Sequence, residues 1–92
     1  MGDVRECVSI PVADASRAFQ DLNEYVVSLD RIMSRIGTGG KDPQILLQYF
    51  SDRDVFRRIA WLRGVMGEAL EDVIGEDEVD RIGEDSYVFG EE

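Results

Sequence analysis

Between Asp14 and Ile36 the apolar residues fall at Ala15, Phe19, Leu22, Val26, Leu29, Met33 and Ile36, separated alternately by four and three positions. That spacing is the seam of a helix lying lengthwise against another helix, and Ala18, Tyr25 and Ile32 widen it on one flank. A long helix is therefore predicted over residues 14–36. Asp14 suits its N-cap, and Pro11 offers an earlier start. The glycines at 37, 39 and 40 stop it, because glycine accepts the left-handed conformation that ends a helix.

Asp42 and Pro43 then read as the cap and first-turn proline of a short helix over 43–50, with Ile45, Leu46, Tyr49 and Phe50 on its apolar side. Ser51-Asp52-Arg53-Asp54 resembles a capping box and opens a second long helix over 52–74. Its seam is Val55, Ile59, Leu62, Met66, Ala69 and Val73, flanked by Phe56, Ala60, Leu70 and Ile74. Gly64 and Gly67 interrupt the pattern, marking either a close helix approach or local weakness. Gly75 ends the helix.

The termini follow other patterns. Residues 1–12 form an extended arm in which Val4, Val8, Ile10 and Val12 alternate loosely, and residues 76–92 form an acidic tail containing the β-favouring run Ser86-Tyr87-Val88-Phe89. Pairing of the two as a terminal β-ribbon remains open, although a two-stranded ribbon alone is marginal. With 92 residues there is room for one domain. The expected fold is all-α: an antiparallel helical hairpin with a short connecting helix. Two amphipathic helices leave apolar flanks in water, here Tyr25, Ile32, Phe56 and Trp61, so the expectation extends to a homodimer forming a four-helix bundle through those residues.

Charge sharpens this picture. The net charge is −10, yet residues 1–67 balance nine acids against nine bases, so the whole excess lies in the last 25 positions. There Glu68, Glu71, Asp72, Glu76, Asp77, Glu78, Asp80, Glu84, Asp85, Glu91 and Glu92 face one base, Arg81. In an equal-length hairpin the connector end gathers Arg31, Arg35, Lys41, Arg53, Arg57 and Arg58, while Asp14, Asp21 and Glu24 join Glu68, Glu71 and Asp72 at the other end. Packing two hairpins head to tail sets basic ends beside acidic ones. The second long helix also carries its acids at its negative C-terminal end, against the macrodipole preference.

Such a block repels nucleic-acid phosphates and attracts basic surfaces, so direct nucleic-acid binding is not expected. No stretch approaches the roughly 18 apolar residues of a spanning helix, and the N-terminus lacks a secretory pattern, which leaves the cytoplasm as the expected location without a membrane role. Histidine is absent, and Cys7 is the sole cysteine. Gly37-Thr38-Gly39-Gly40-Lys41-Asp42 resembles a phosphate loop but has Arg35 where the first glycine belongs and Asp42 where Ser or Thr belongs. Glu76-Asp77-Glu78-Val79-Asp80 lacks the spacing of a calcium loop. Neither a cofactor, a metal nor a catalytic residue is expected. Trp61, near Arg57, Arg58 and Arg63, reads as packing or as a cation–π contact.

These features predict a small non-enzymatic interaction module that binds a basic protein partner. Its contact residues would be Glu68, Glu71, Asp72, Glu76, Asp77, Glu78, Asp80, Glu84 and Asp85, with Tyr87 and Phe89 as apolar anchors. A sharper version is a nucleic-acid mimic, of the kind used by phage inhibitors or antitoxins, that blocks a nucleic-acid-binding enzyme. The competing expectation is a helical structural subunit of a larger assembly.

Overall fold

The computed structural model describes residues 7–40 and 42–90. Four helices follow one another: α1 (Val12–Gly37), α2 (Gln44–Asp52), α3 (Val55–Ile74) and α4 (Glu76–Glu84). The chain is all-helical, and no strand occurs among the described residues. Ser86–Phe89 is irregular, whereas Val4, on the other side of the expected ribbon, lies outside the described residues. The chain divides into two compact units, Pro11–Arg63 and a second one that contains, of the described residues, 7–10 and 64–90; the division falls inside α3.

Helix boundaries follow local chemistry. α1 starts directly after Pro11, whose φ of −53° presets the first turn, and Asp14 sits in that turn, where a negative charge suits the helix N-terminus. At the other end Gly39 takes φ +76°, and the N–H of Gly40 donates to the carbonyl of Arg35 at 3.1 Å. This is the left-handed stop that the glycine run predicts. Asp42 Oδ1 accepts the N–H of Gln44 at 2.9 Å and so starts α2.

The α2–α3 junction differs from the expected capping box. α2 runs on through Ser51 and Asp52, and the break comes at Asp54, the one described non-glycine residue with positive φ, at 52°. Aspartate tolerates the left-handed region better than most residues. α3 thus begins at Val55 rather than at 52.

The register of the hairpin also differs from an equal-length pairing. α2 starts beyond the C-terminus of α1, and Tyr49, near its end, reaches back to Glu24. It therefore runs antiparallel along the C-terminal half of α1, leaving the start of α3 to meet Glu24 and Asp21 and Trp61 to meet Arg17. Asp21 and Glu24 thereby join Arg53 and Arg58 in one place instead of occupying the opposite end of the bundle. The head-to-tail charge argument for two hairpins loses these two acids to contacts within the chain.

The rotation of α1 is the largest departure. Ala18, Tyr25 and Ile32, expected as a spare flank, turn inward, and Tyr25 is buried at 6% exposure. The expected seam residues Phe19, Leu22, Val26 and Met33 are exposed instead. Among the described residues the buried apolar centre of Pro11–Arg63 is Tyr25 and Val55, of which Val55 is fully enclosed, and in the second unit it is Ala69.

Gly64 and Gly67 are not close-approach sites, since a Cβ built on either meets nothing within 4 Å. Gly64→Ala and Gly67→Ala are each expected to stabilise the chain by about 0.5–1 kcal/mol through helix propensity. Thermal denaturation checks this, and a lower midpoint for either variant would show an unrecognised need for glycine.

Candidate functional site

Two assemblies of polar side chains stand out, one inside the Pro11–Arg63 unit and one on Gly64–Glu92. The first centres on Glu24. Arg53 grips its carboxylate in a fork, with Nε 3.3 Å from Oε2 and Nη2 2.9 Å from Oε1. Arg58 makes a second fork at 3.1 and 2.9 Å, and the Tyr49 hydroxyl donates at 2.7 Å. Arg58 Nη2 also donates to Asp21 Oδ1 at 2.7 Å, its Nη1 donates to the carbonyl of Arg53 at 3.2 Å, and its guanidinium lies 5.1 Å from the ring centre of Tyr25. Only arginine can serve so many acceptors from one plane.

Burial makes this cluster consequential. Asp21 is 7% exposed, and its Oδ2 and the hydroxyl of Tyr25 are buried without a hydrogen-bond partner. The fork from Arg53, then that from Arg58, hold the Glu24 carboxyl well below the usual carboxylate range, overriding the upward push of desolvation. Both arginines are held more firmly protonated, chiefly by the Glu24 hydrogen bonds. Burial pushes the Tyr25 and Tyr49 hydroxyls up, so both stay neutral, and Tyr49 donates to Glu24. Glu24 is thus held ionised, the opposite of what a general acid needs. The arrangement is a structural clamp.

Sequence reasoning missed this clamp, although a signal existed. Asp21 sits four residues before Tyr25 and three after Ala18, an acid within an apolar flank. Such a residue needs a cation from a facing element.

The second assembly holds the expected partner-binding acids. Glu68, Glu71 and Asp72 are exposed on α3, and Glu76, Asp77, Glu78, Asp80 and Glu84 are exposed on α4, followed by exposed Asp85. Residues 76–84, expected as tail, are helical because Gly75 adopts φ +87° and ψ 159°, a region open essentially to glycine, and restarts the chain. Glu76, Asp77 and Glu78 consequently occupy the first turn of α4, where the helix dipole favours them. The unfavourable placement expected for the acids of the second long helix is retained at Glu71 and Asp72, near the end of α3.

Glu76, Asp80 and Glu84 recur every fourth residue and line one face of α4, with Ile82 on the other. Among the described residues from 64 to 90 the ion pair found is Arg81–Glu78, at 3.1 Å and exposed. Tyr87 and Phe89 are exposed, beyond the last helix. Of the four residues expected at a dimer contact, Phe56 is exposed beside a shallow apolar pocket with Ile59, Ala60 and Arg63, Trp61 is half-buried under the Arg17 guanidinium at 3.9 Å, Ile32 is half-buried and Tyr25 is enclosed. The cation over Trp61 is Arg17, not one of the arginines of α3.

Cys7 is exposed, and Lys41 of the glycine run lies outside the described residues. Among the described residues no cluster of His, Cys, Asp or Glu could hold a metal, and no helix is long and apolar enough to cross a membrane. No protein-family model, curated protein or solved structure matches the chain.

Two predictions test the clamp. Arg58→Ala leaves the enclosed Asp21 without its cation and is expected to cost about 3 kcal/mol, lowering the melting midpoint by more than about 10 °C. Arg58→Lys, which keeps the charge but not the fork, should recover only part of it. The second concerns acid. Because the folded Glu24 value lies below the unfolded value of about 4.3, its contribution is complete above that pH and fades as pH falls through the acid range toward the folded value. The stability gap between the native chain and Glu24→Gln should be constant from about pH 7 to 5 and narrow from there toward about pH 2. A gap that persists undiminished in acid would show that Glu24 acts through packing rather than charge.

Proposed function

We propose that the chain is a small non-enzymatic interaction module whose α3–α4 acids engage a basic protein surface, and that it works as a pair of copies. The observation that carries the first part is the uncompensated row on α4. Like charges at fourth-residue spacing cost a helix about 0.2–0.5 kcal/mol per pair. Among the described residues no ion pair reaches Glu76, Asp80 or Glu84, and Arg81, the one base of residues 68–92, pairs with Glu78 instead. Charge held at such a cost suits a partner that supplies lysine or arginine.

In this reading carboxylates from Glu68 to Asp85 steer a basic protein into contact, and Tyr87 and Phe89 add apolar anchorage. Nucleic-acid mimicry is the same surface directed at an enzyme's phosphate-binding groove. The helical-subunit reading draws instead on exposed Phe56 and Ile59 beside Arg63, and it implies association that resists salt.

The test uses a fluorescent oligo-arginine peptide read by anisotropy. Glu76→Gln, Asp80→Asn and Glu84→Gln together should weaken binding about tenfold, and rising salt should weaken the native complex steeply. Neutralising Asp14, Asp42 and Asp52, an equal charge placed elsewhere, should have far less effect. Equal losses from both triple variants would mean that net charge alone is read, and the α4 surface would lose its special role.

A further inference from the structure

We infer that the face of α1 turned away from the Arg58 clamp is the contact between two copies of the chain, with the two α1 helices antiparallel and crossing near Glu24. This rests on the paired-copy reading above and names the surface and its geometry. Val12, Phe19, Val26 and Met33 recur every seven residues and are exposed by 81, 71, 70 and 55%. An exposed apolar stripe with a heptad period is the signature of a helix awaiting another helix of the same pitch.

Charge marks the same face. α1 carries seven charged residues, Asp14, Arg17, Asp21, Glu24, Asp30, Arg31 and Arg35, and all but Asp30 project from the other side of the helix. Interface cores are depleted of charge, whereas a solvated face on a helix that carries seven charged residues has no reason to be. Area agrees as well. With large apolar side chains presenting about 150–200 Å² each when free, these four and half-exposed Leu22 leave roughly 600 Å² per chain in water. A stable interface buries about 800 Å² per partner, so neighbouring Ala15, Gln20 and Asn23 bring the face to size.

The occupant that fits is a second α1. Set antiparallel about Glu24, the seam positions pair completely: Val12 with Ile36, Ala15 with Met33, Phe19 with Leu29 and Leu22 with Val26 of the other copy. The smallest seam residue then faces the longest, which fills space evenly. In a parallel pair Ala15 would face its own equivalent and Phe19 would face another phenylalanine, giving one hollow and one crowded layer. Asp30 would also stand level with its counterpart, which the antiparallel arrangement separates by about 18 Å.

Sedimentation equilibrium and spin-label distances on the full chain test this. The native chain should be dimeric at micromolar concentration, and Val26→Glu, at an already exposed site, should raise the dissociation constant about 100-fold while leaving the helical circular dichroism unchanged. A spin label on Ser16→Cys, in a Cys7→Ser background, should report a separation near 24 Å between copies for the antiparallel pair, against about 10–15 Å for a parallel one. A native dimer unaffected by Val26→Glu would overturn the α1 face and leave the paired-copy reading standing. A native chain that is monomeric at millimolar concentration would overturn both. The shorter distance would overturn the orientation.

Discussion

One half-buried arginine sets the geometry of the Pro11–Arg63 unit. Arg58 satisfies Glu24, Asp21 and the carbonyl of Arg53 at once, so it fixes where α3 begins along α1 and which way α1 is turned. A hydrophobic seam can tolerate small rotations, because apolar contacts lack direction. A forked guanidinium between two carboxylates cannot. The clamp therefore overrides the apolar pattern of α1, drawing the Asp21–Tyr25 side inward and turning the residues with the strongest heptad repeat outward.

In the proposed pairing of copies, that reversal links stability to assembly. Were α1 to bury Phe19, Leu22, Val26 and Met33 within the chain, Asp21 and Glu24 would lie away from Arg58 and α1 would have little apolar surface to offer. Because the ionic contacts are made inside the unit, a face whose one charge is Asp30 remains exposed outside it. The division of labour explains how a short chain can carry long amphipathic helices yet bury few large side chains completely.

Much of the helical organisation was legible in the sequence. The heptad spacing from Ala15 to Ile36, the glycine stop at 37–40 and the Asp42–Pro43 start each reflect local chemistry, and each has its counterpart in the structure. Where tertiary contacts decide, the sequence was silent or misleading. Nothing local specifies that Arg58 rather than Arg57 reaches Asp21, since both are helix residues of the same type, and the seam of α1 has the same spacing whether it faces inward or outward. Ser51 resembles a cap in sequence, yet an uninterrupted helix through Asp52 competes successfully with it. The acidic row was visible as composition; its ordering on α4 depended on Gly75, which equally well ends a helix for good or begins another.

Gly75 also bears on how the acidic segment can vary. By ending one helix and starting another within a single residue, it moves Glu76, Asp77 and Glu78 from a terminus that disfavours carboxylates to one that welcomes them. Substitutions adding further negative groups just after this glycine meet a local field that supports them. The strength of the acidic surface is thus adjustable by single exchanges in α4, decoupled from the arginine-dependent packing that sets the other unit.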